Sequence, residues 1–331
     1  MTSQHWNRLW KILKPILVVG LLISFFYFVP IQDTLRSLQS AGIGFFLVSI
    51  FLSIPIFYLS AITLWILTRK QQIYYSIWEL IKMNLVIRFY SFFSPASIVG
   101  SGMRWYQLSK GGKAASALSA VAVDRALDIF IAVLLGLFWF LSGVQKDAFN
   151  PFALFLLFVI LVVGWFALTH WSPNASNWLE RKAEQTPLSW TRNLLQFSSH
   201  LFQSLSVYAS LSAMELTILL GASILSELIN LLIQVFLAFS LHIPISFVDL
   251  GWMRSLFFLA SLAPFTLTGG IGLREVTVVL VMSAFGIPPE LAGAYSLLSY
   301  VRTAMVSLIG GAFELFAFLF PKNNRNRDRI V

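Results

Sequence analysis

The sequence predicts an all-α polytopic membrane protein with six full transmembrane helices and two re-entrant or broken-helix segments that form an inverted repeat. Hydrophobic residues make up 58% of the chain and charged residues only 11%. Several apolar runs reach the roughly 20 residues that a helix needs to cross a bilayer. One short motif also occurs twice, about 170 residues apart, and each copy combines a proline, glycines and an arginine.

We expect six apolar runs to form membrane spans. They are residues 16–29, 43–67, 114–141, 149–168, 211–241 and 291–320. The first run lacks a small-x-small cleavage site, so we expect an uncleaved helix whose N-terminus is cytoplasmic. Lys and Arg clusters follow the second, fourth and sixth runs and precede the third. If all of them lie in the cytoplasm, the chain is a multi-pass plasma-membrane protein with both termini inside.

Two hydrophobic segments, 73–112 and 247–288, remain outside these spans, and each contains one copy of the motif. The copies consist of Pro95, Gly100, Gly102 and Arg104, and of Pro264, Gly269, Gly270, Gly272 and Arg274. The first segment enters and leaves on the cytoplasmic side, and the second does so on the outer side. Helix-breaking residues at matching places in two halves are typical of an inverted repeat. Re-entrant loops and pairs of short full spans both fit this pattern.

We expect one membrane domain over residues 1–331. Its parts are a first half of about 10–170, a linker of about 171–205, a second half of about 206–320 and a basic cytoplasmic tail of 321–331. The linker is more polar and carries interspersed tryptophans, which indicates an interfacial cytoplasmic helix or tether. A docking surface for a partner is the alternative.

Ionisable residues within the spans are the main functional candidates, because each costs roughly 2.5 to 3.5 kcal/mol near the bilayer centre. Asp124, Arg125 and Asp128 lie in the third span, Glu227 in the fifth and Arg302 in the last. Arg125 and Asp128 are spaced to neutralise each other. Alternatively, an arginine flanked by acids binds a lipid phosphate or takes part in proton exchange.

The motif arginines extend this set. Arg104 and Arg274 have Arg125 and Arg302 after them in their own halves, so four guanidinium groups could converge on a phosphate. Snorkelling of Arg104 to the cytoplasmic surface is the alternative. The glycines before Arg274 lead into a helix N-terminus, which favours an anion. We predict substrate binding by Arg104, Arg125, Arg274, Arg302, Gly270 and Gly272, and charge balance or proton coupling by Asp124, Asp128, Glu227 and Glu275.

Other classes of chemistry find little support. The chain has no cysteine, and its four histidines are dispersed without a metal-ligand spacing. No nucleophile elbow and no phosphate loop of the ATPase type occurs. The net charge of +9 comes from residues beside apolar runs, which indicates topology and anionic lipid rather than nucleic acid. We expect no catalytic residue, metal ion or cofactor.

The motifs resemble the lysylphosphatidylglycerol synthase transmembrane region, also called the flippase-like domain family. The residues that carry the likeness are 94–104, Val-Asp-Arg at 123–125 and Gly-Gly-Ile-Gly-Leu-Arg-Glu at 269–275. The likeness covers about residues 10–320. The first motif, which reads Phe-Phe-Ser-Pro-Ala-Ser at 92–97, is poorer in glycine than the family pattern.

In the bifunctional members, the multiple peptide resistance factors, this region is thought to move aminoacylated phosphatidylglycerol between leaflets, and a separate soluble domain makes that lipid. The resemblance therefore implies a flippase or scramblase without synthase activity. Its substrate would be an anionic lipid such as phosphatidylglycerol or its aminoacylated form, or a polyprenyl-phosphate-linked glycan.

Two other functions stay open. A membrane-embedded lipid-modifying transferase would need a general base, for which Asp124 or Glu275 is the candidate. A scaffold would instead bind a separate lipid synthase or glycosyltransferase through residues 171–203. The expected partners are membrane lipids, such a synthase or glycosyltransferase, and a second copy of the chain.

Overall fold

The computed structural model describes residues 42–93, 96–143, 151–186, 188–262 and 273–319. Within these ranges the chain is helical and contains no strand. The predicted first span, the predicted binding residues Gly270 and Gly272, and the basic tail lie outside the described residues. The all-helical class is confirmed for the described part of the chain.

The described ranges contain eleven α-helices. They are α1 (Ile43–Phe51), α2 (Ser53–Lys70), α3 (Ile77–Phe92), α4 (Ala96–Leu108), α5 (Ala114–Ser142), α6 (Pro151–Glu184), α7 (Ser189–Ser206), α8 (Ala213–Ser240), α9 (Phe247–Ser261), α10 (Leu273–Ala284) and α11 (Pro289–Leu319). Short 3-10 turns follow α4 and α7.

Three stretches of the described chain are long and apolar enough to cross a membrane: Ile43–Lys70, Ala213–Ser240 and Pro289–Phe316. Helix α5 has similar length, with 29 residues, but it carries three ionisable residues along its middle. The run predicted as one helix over 43–67 is broken, because α1 ends at Phe51 and α2 begins at Ser53. Pro55 in the first turn of α2 has no N–H group to continue the hydrogen bonding of α1.

Each predicted motif segment contains two short helices, α3 with α4 and α9 with α10. Their 12 to 16 residues correspond to lengths of about 18 to 24 Å at 1.5 Å per residue. A hydrocarbon core is roughly 30 Å thick. Over the residues that the structure describes, none of the four helices therefore reaches the length needed to cross a bilayer alone.

The same local structure precedes α3 and α9. Gln72 and His242 have left-handed backbones, with φ of 56° and 53°. Four residues later, the side chains of Ser76 and Ser246 accept hydrogen bonds from the third residue of each helix, at 3.2 and 3.1 Å. These residues form two pairs, each 170 positions apart. The chain thus builds the same turn and N-cap twice.

Helix packing also repeats. Helix α3 packs against α11, and α5 packs against α9. Glycines lie at both crossings: a Cβ added at Gly310 would be 2.0 Å from the Leu85 carbonyl oxygen, and one added at Gly136 would be 2.7 Å from the Ser255 Cβ. Small residues of this kind let membrane helices approach closely.

Apolar clusters hold the helices together. Leu64, Leu80, Leu108 and Val121 bring α2, α3, α4 and α5 together. A larger cluster lies mainly between α8, α9, α10 and α11, and it also includes Phe46 of α1, Phe92 of α3 and Phe140 of α5. The charged residues described below lie on these same helices, so the packing of these clusters determines where the charges meet.

Helices α6 and α7 form an antiparallel hairpin. The Ser172 hydroxyl donates to the Phe202 carbonyl oxygen, and the Ser176 hydroxyl donates to the Ser199 carbonyl oxygen at 3.1 Å. Helix α6 has 34 residues and is about 51 Å long, well beyond the hydrocarbon thickness. The polar stretch predicted as a separate linker thus consists of the last part of α6 together with α7.

Candidate functional site

Charged residues from seven helices lie within Coulombic range of one another inside the molecule. We call them the central charge cluster: Arg88 on α3, Arg104 on α4, Asp124, Arg125 and Asp128 on α5, Glu227 on α8, Arg254 on α9, Arg274 and Glu275 on α10, and Arg302 on α11.

Asp124 binds two other helices. Its carboxylate accepts a hydrogen bond from Arg104 Nη1 at 2.6 Å and from the Thr63 hydroxyl at 3.1 Å. The Asp124 side chain is only 4% exposed and that of Arg104 is 21% exposed. Arg104 therefore points to a buried carboxylate, and this ion pair takes the place of snorkelling to the cytoplasmic surface. A paired, hydrogen-bonded carboxylate of this kind fixes α4 against α5 and α2.

Arg125 and Asp128 form a looser pair on α5. Their closest charged atoms, Arg125 Nη1 and Asp128 Oδ2, are 3.5 Å apart, and the side chains are 37% and 43% exposed. The spacing predicted from the sequence is thus observed. A partly exposed pair of this length contributes little to stability, so both groups can bind other charges without a large loss.

Glu227 pairs with an arginine that the sequence analysis overlooked. Its Oε2 lies 3.0 Å from Arg254 Nη2, and both side chains are largely buried. Asn230, which the sequence places beside Glu227, instead donates to the Ser226 carbonyl oxygen at 3.0 Å. Arg254 lies within an apolar segment, and the same membrane-cost argument that singled out Arg125 would have identified it.

Arg274 has weaker charge compensation than Arg104, although the two arginines occupy matching motif positions. The Arg274 Nη2 donates to the Ser299 hydroxyl of α11, and the nearest oxygen of Glu275 is 3.7 Å from Nη1. Arg104, in contrast, has a carboxylate at 2.6 Å. The positive charge of Arg274 is therefore the more available of the two.

Arg302 is buried at the break between α1 and α2. Its Nε donates to the Ser49 carbonyl oxygen at 3.1 Å, and its Nη2 donates to the Ser53 hydroxyl. Its partners among the described residues are neutral oxygens. The guanidinium thus occupies the gap in helical hydrogen bonding at the break.

Arg88 differs from the other arginines of the cluster. It is exposed, and it makes no hydrogen bond or ion pair with any residue that the structure describes. Arg274, Arg125 and Arg254 are all close enough to repel its charge. The sequence analysis assigned it no role, although its position in an apolar segment is a sufficient signal by the same membrane-cost argument.

The cluster as defined contains six arginines and four carboxylates, so its formal charge is positive by two. The carboxylates lie against Arg104, Arg125, Arg254 and Arg274, which leaves Arg88 and Arg302 without a carboxylate among the described residues. Such an excess inside a low-dielectric environment favours the entry of an anion. In the described part of the chain, no three His, Asp or Glu side chains are arranged to hold a metal ion.

Long apolar helices, with no strand among the described residues and with arginines clustered between the helices, define an integral membrane protein with a polar site. The chain belongs to the lysylphosphatidylglycerol synthase TM region family, whose model matches residues 11–311. This confirms the family predicted from the motifs and indicates a role related to membrane lipids. No curated protein and no solved structure matches the chain.

Proposed function

We propose that this protein moves an anionic lipid between the leaflets of the plasma membrane, as a flippase or scramblase, and that Arg88 and Arg274 bind the headgroup. The observation that carries this proposal is the position of Arg88, an exposed residue that has no carboxylate partner among the described residues and is within range of electrostatic repulsion by three other arginines. The substrate class is phosphatidylglycerol, its aminoacylated form or a polyprenyl-phosphate-linked glycan.

The physical reason is the cost of like charges in a membrane interior. A phosphate near Arg88 would offset its repulsion by Arg125, Arg254 and Arg274, and a guanidinium can donate two parallel hydrogen bonds to phosphate oxygens. Two buried polar atoms of the cluster, Arg104 Nε and Glu227 Oε1, also have no hydrogen-bond partner in the described structure. Both features favour a polar occupant.

We further propose that the two halves form an inverted repeat with six full spans and two re-entrant helix pairs. Ile43–Lys70 and Ala213–Ser240 each have 28 residues and begin 170 positions apart. The turns before α3 and α9 are alike, and the contact of α3 with α11 matches that of α9 with α5. In this arrangement the motif helices α4 and α10 approach the charge cluster from opposite sides of the membrane.

Transport fits the cluster better than catalysis does. A general base must be free to accept a proton from the reacting group, but each of the four carboxylates lies within 3.7 Å of an arginine nitrogen. If the protein transports lipid without modifying it, lipid incubated with the purified protein should be recovered chemically unchanged.

The test is exchange of headgroup-labelled phosphatidylglycerol between leaflets of proteoliposomes. We expect Arg88→Gln and Arg274→Gln each to reduce exchange by about tenfold or more, because each loses a charge-assisted hydrogen bond. Arg181→Gln is the matched control, since Arg181 is an exposed arginine near the end of α6, far along the chain from the cluster. Its exchange should equal that of the unsubstituted protein.

A polyprenyl-phosphate sugar is tested in a second set of vesicles. Exchange of either lipid above that of empty vesicles, lost in both cluster variants, supports the proposal. Equal exchange by Arg88→Gln and the unsubstituted protein would remove Arg88 from the site. Exchange of neither lipid above the empty-vesicle rate would refute the proposed function.

A further inference from the structure

A polar cavity lies apart from the central charge cluster. It has a volume of about 560 Å³ and opens where the end of α2, the start of α5 and helix α7 meet. Lys70, Gln72, Lys113, His200 and Gln203 contribute polar groups to its wall. None of the cluster residues lines it, so it is a separate site.

The wall of this cavity is basic. It includes two lysines and a histidine, and no Asp or Glu of the described residues. Lys70 is partly neutralised, because its Nζ lies 2.8 Å from Glu215 Oε2. Lys113 is not neutralised in this way. Its Nζ donates to the carbonyl oxygen of Gln72 at 3.1 Å and has no carboxylate partner in the described structure. His200 is exposed.

The contact between Lys113 and Gln72 forms part of the cavity wall. Gln72 is held in a left-handed backbone conformation, and its carbonyl oxygen faces the Lys113 ammonium. Both residues also line a smaller neighbouring cavity of about 190 Å³, so they form the wall between the two. An ammonium has three N–H donors, and the contacts with Gln72 leave donor capacity for a ligand.

The start of α5 adds to the positive potential. Ala114, Ala115 and Ser116 form its first turn and line the cavity, and Lys113 at the N-cap position provides no side-chain hydrogen bond to this turn. The first N–H groups of a helix have no partner within the helix and carry partial positive charge. These N–H groups add to the positive potential of the lysine and histidine side chains, on which the proposed site rests.

The cavity lies at the boundary between membrane and water. It adjoins Lys70, the last residue of a candidate membrane span. One residue earlier, the Arg69 guanidinium lies 4.5 Å from the centre of the Trp65 ring. Tryptophan and basic residues at a helix end are typical of the headgroup region.

We propose that this cavity binds a phosphate-bearing anion, with Lys113 and His200 as the side chains that contact the ligand. The chemistry is that of a phosphate ester, and it can come from a lipid headgroup at the membrane surface or from a soluble phosphate ester. Gln72 and Gln203 can hydrogen-bond the polar groups next to the phosphate. A volume of about 560 Å³ is large enough for a phosphoglycerol group.

Binding by the purified full-length protein tests this proposal. Three probes are titrated calorimetrically: dihexanoyl phosphatidylglycerol, glycerol 1-phosphate, and dihexanoylglycerol, which has no phosphate. We expect the Lys113→Gln, His200→Gln double variant to weaken phosphate-ester binding by about tenfold or more, since it removes charge-assisted hydrogen bonds. Lys182→Gln, at an exposed lysine that does not line the cavity, should bind like the unsubstituted protein.

The titrations are repeated with Arg88→Gln as the background, because this substitution removes the headgroup contact proposed for the central charge cluster. Phosphate-ester binding that remains in Arg88→Gln and is lost when Lys113→Gln and His200→Gln are added belongs to the cavity. In this background, binding of the short-chain lipid alone identifies a headgroup site, and binding of glycerol 1-phosphate as well identifies a site for free phosphate esters. Equal affinity in Arg88→Gln with and without the two cavity substitutions would overturn the proposal. So would the absence of phosphate-ester binding in Arg88→Gln, or binding of dihexanoylglycerol as tight as that of the phosphate-bearing lipid.

Discussion

The crossing of α3 and α11 determines where Arg88 lies, and Gly310→Ala tests this relation. A Cβ at Gly310 would be 2.0 Å from the carbonyl oxygen of Leu85 and 3.3 Å from the Cβ of Phe89. Ordinary contact begins at 3.4 Å, so the two backbones must separate by about 1.4 Å locally. Leu85 and Phe89 flank Arg88 on α3, and the guanidinium therefore moves with them.

The energetic cost follows from two opposing effects. Overpacking a tight contact costs about 1 to 3 kcal/mol, with the upper end expected here because the obstructing atom belongs to the backbone. Replacing glycine by alanine in a helix returns about 1 kcal/mol. We expect a net loss of roughly 2 kcal/mol, and a slower lipid exchange because Arg88 is displaced.

Thermal unfolding in detergent and lipid exchange in proteoliposomes measure the two effects. Gly293→Ala is the matched control: it lies in the same helix, and an added Cβ meets no described atom within 4 Å. It should be neutral or slightly stabilising and should exchange lipid normally. If Gly310→Ala unfolds at the same temperature as Gly293→Ala, the close crossing does not hold α3 in place and the reasoning is refuted.

Two further substitutions probe the buried arginines. Asp124→Asn leaves Arg104 without its carboxylate and should lower the free energy of unfolding by about 3 to 5 kcal/mol. The Asp124→Asn, Arg104→Gln double variant should recover part of this loss. Strictly additive losses would mean that the two residues are not coupled. Arg302→Gln should lower stability by about 1 to 3 kcal/mol by leaving the carbonyl oxygen of Ser49 without its donor, and it should leave the affinity for short-chain phosphatidylglycerol unchanged. An Arg302 variant of normal stability that no longer binds this lipid would make Arg302 a ligand contact instead.

The parts of the fold that follow from bilayer physics could be predicted from the sequence. A charge in an apolar run is costly wherever it lies, so Asp124, Arg125 and Glu227 could be identified without knowledge of their partners. The two motif segments could be located because proline and glycine interrupt their apolar runs. The family match over residues 11–311 confirms that the motifs are specific enough to identify the family.

The partners of these charges could not be predicted, because they depend on helix packing. Glu227 pairs with Arg254 on the following helix rather than with Asn230 on its own. The break between α1 and α2 is bridged by Arg302, about 250 residues away in the chain. Arg88 differs from Arg104, Arg125, Arg254 and Arg274 in having no carboxylate within reach among the described residues, and sequence spacing does not reveal this difference.

The serine contacts between α6 and α7 have a practical consequence. Because Ser172 and Ser176 bind the backbone of α7, the two helices of the hairpin are held together as one arm. Its turn, near Thr186, is held by hydrogen bonds from Arg192 at 3.0 and 3.2 Å. A small marker protein joined at this turn would follow the orientation of the whole molecule. The arm is thus a natural attachment point for imaging a 37.3 kDa membrane protein that is otherwise small for single-particle microscopy.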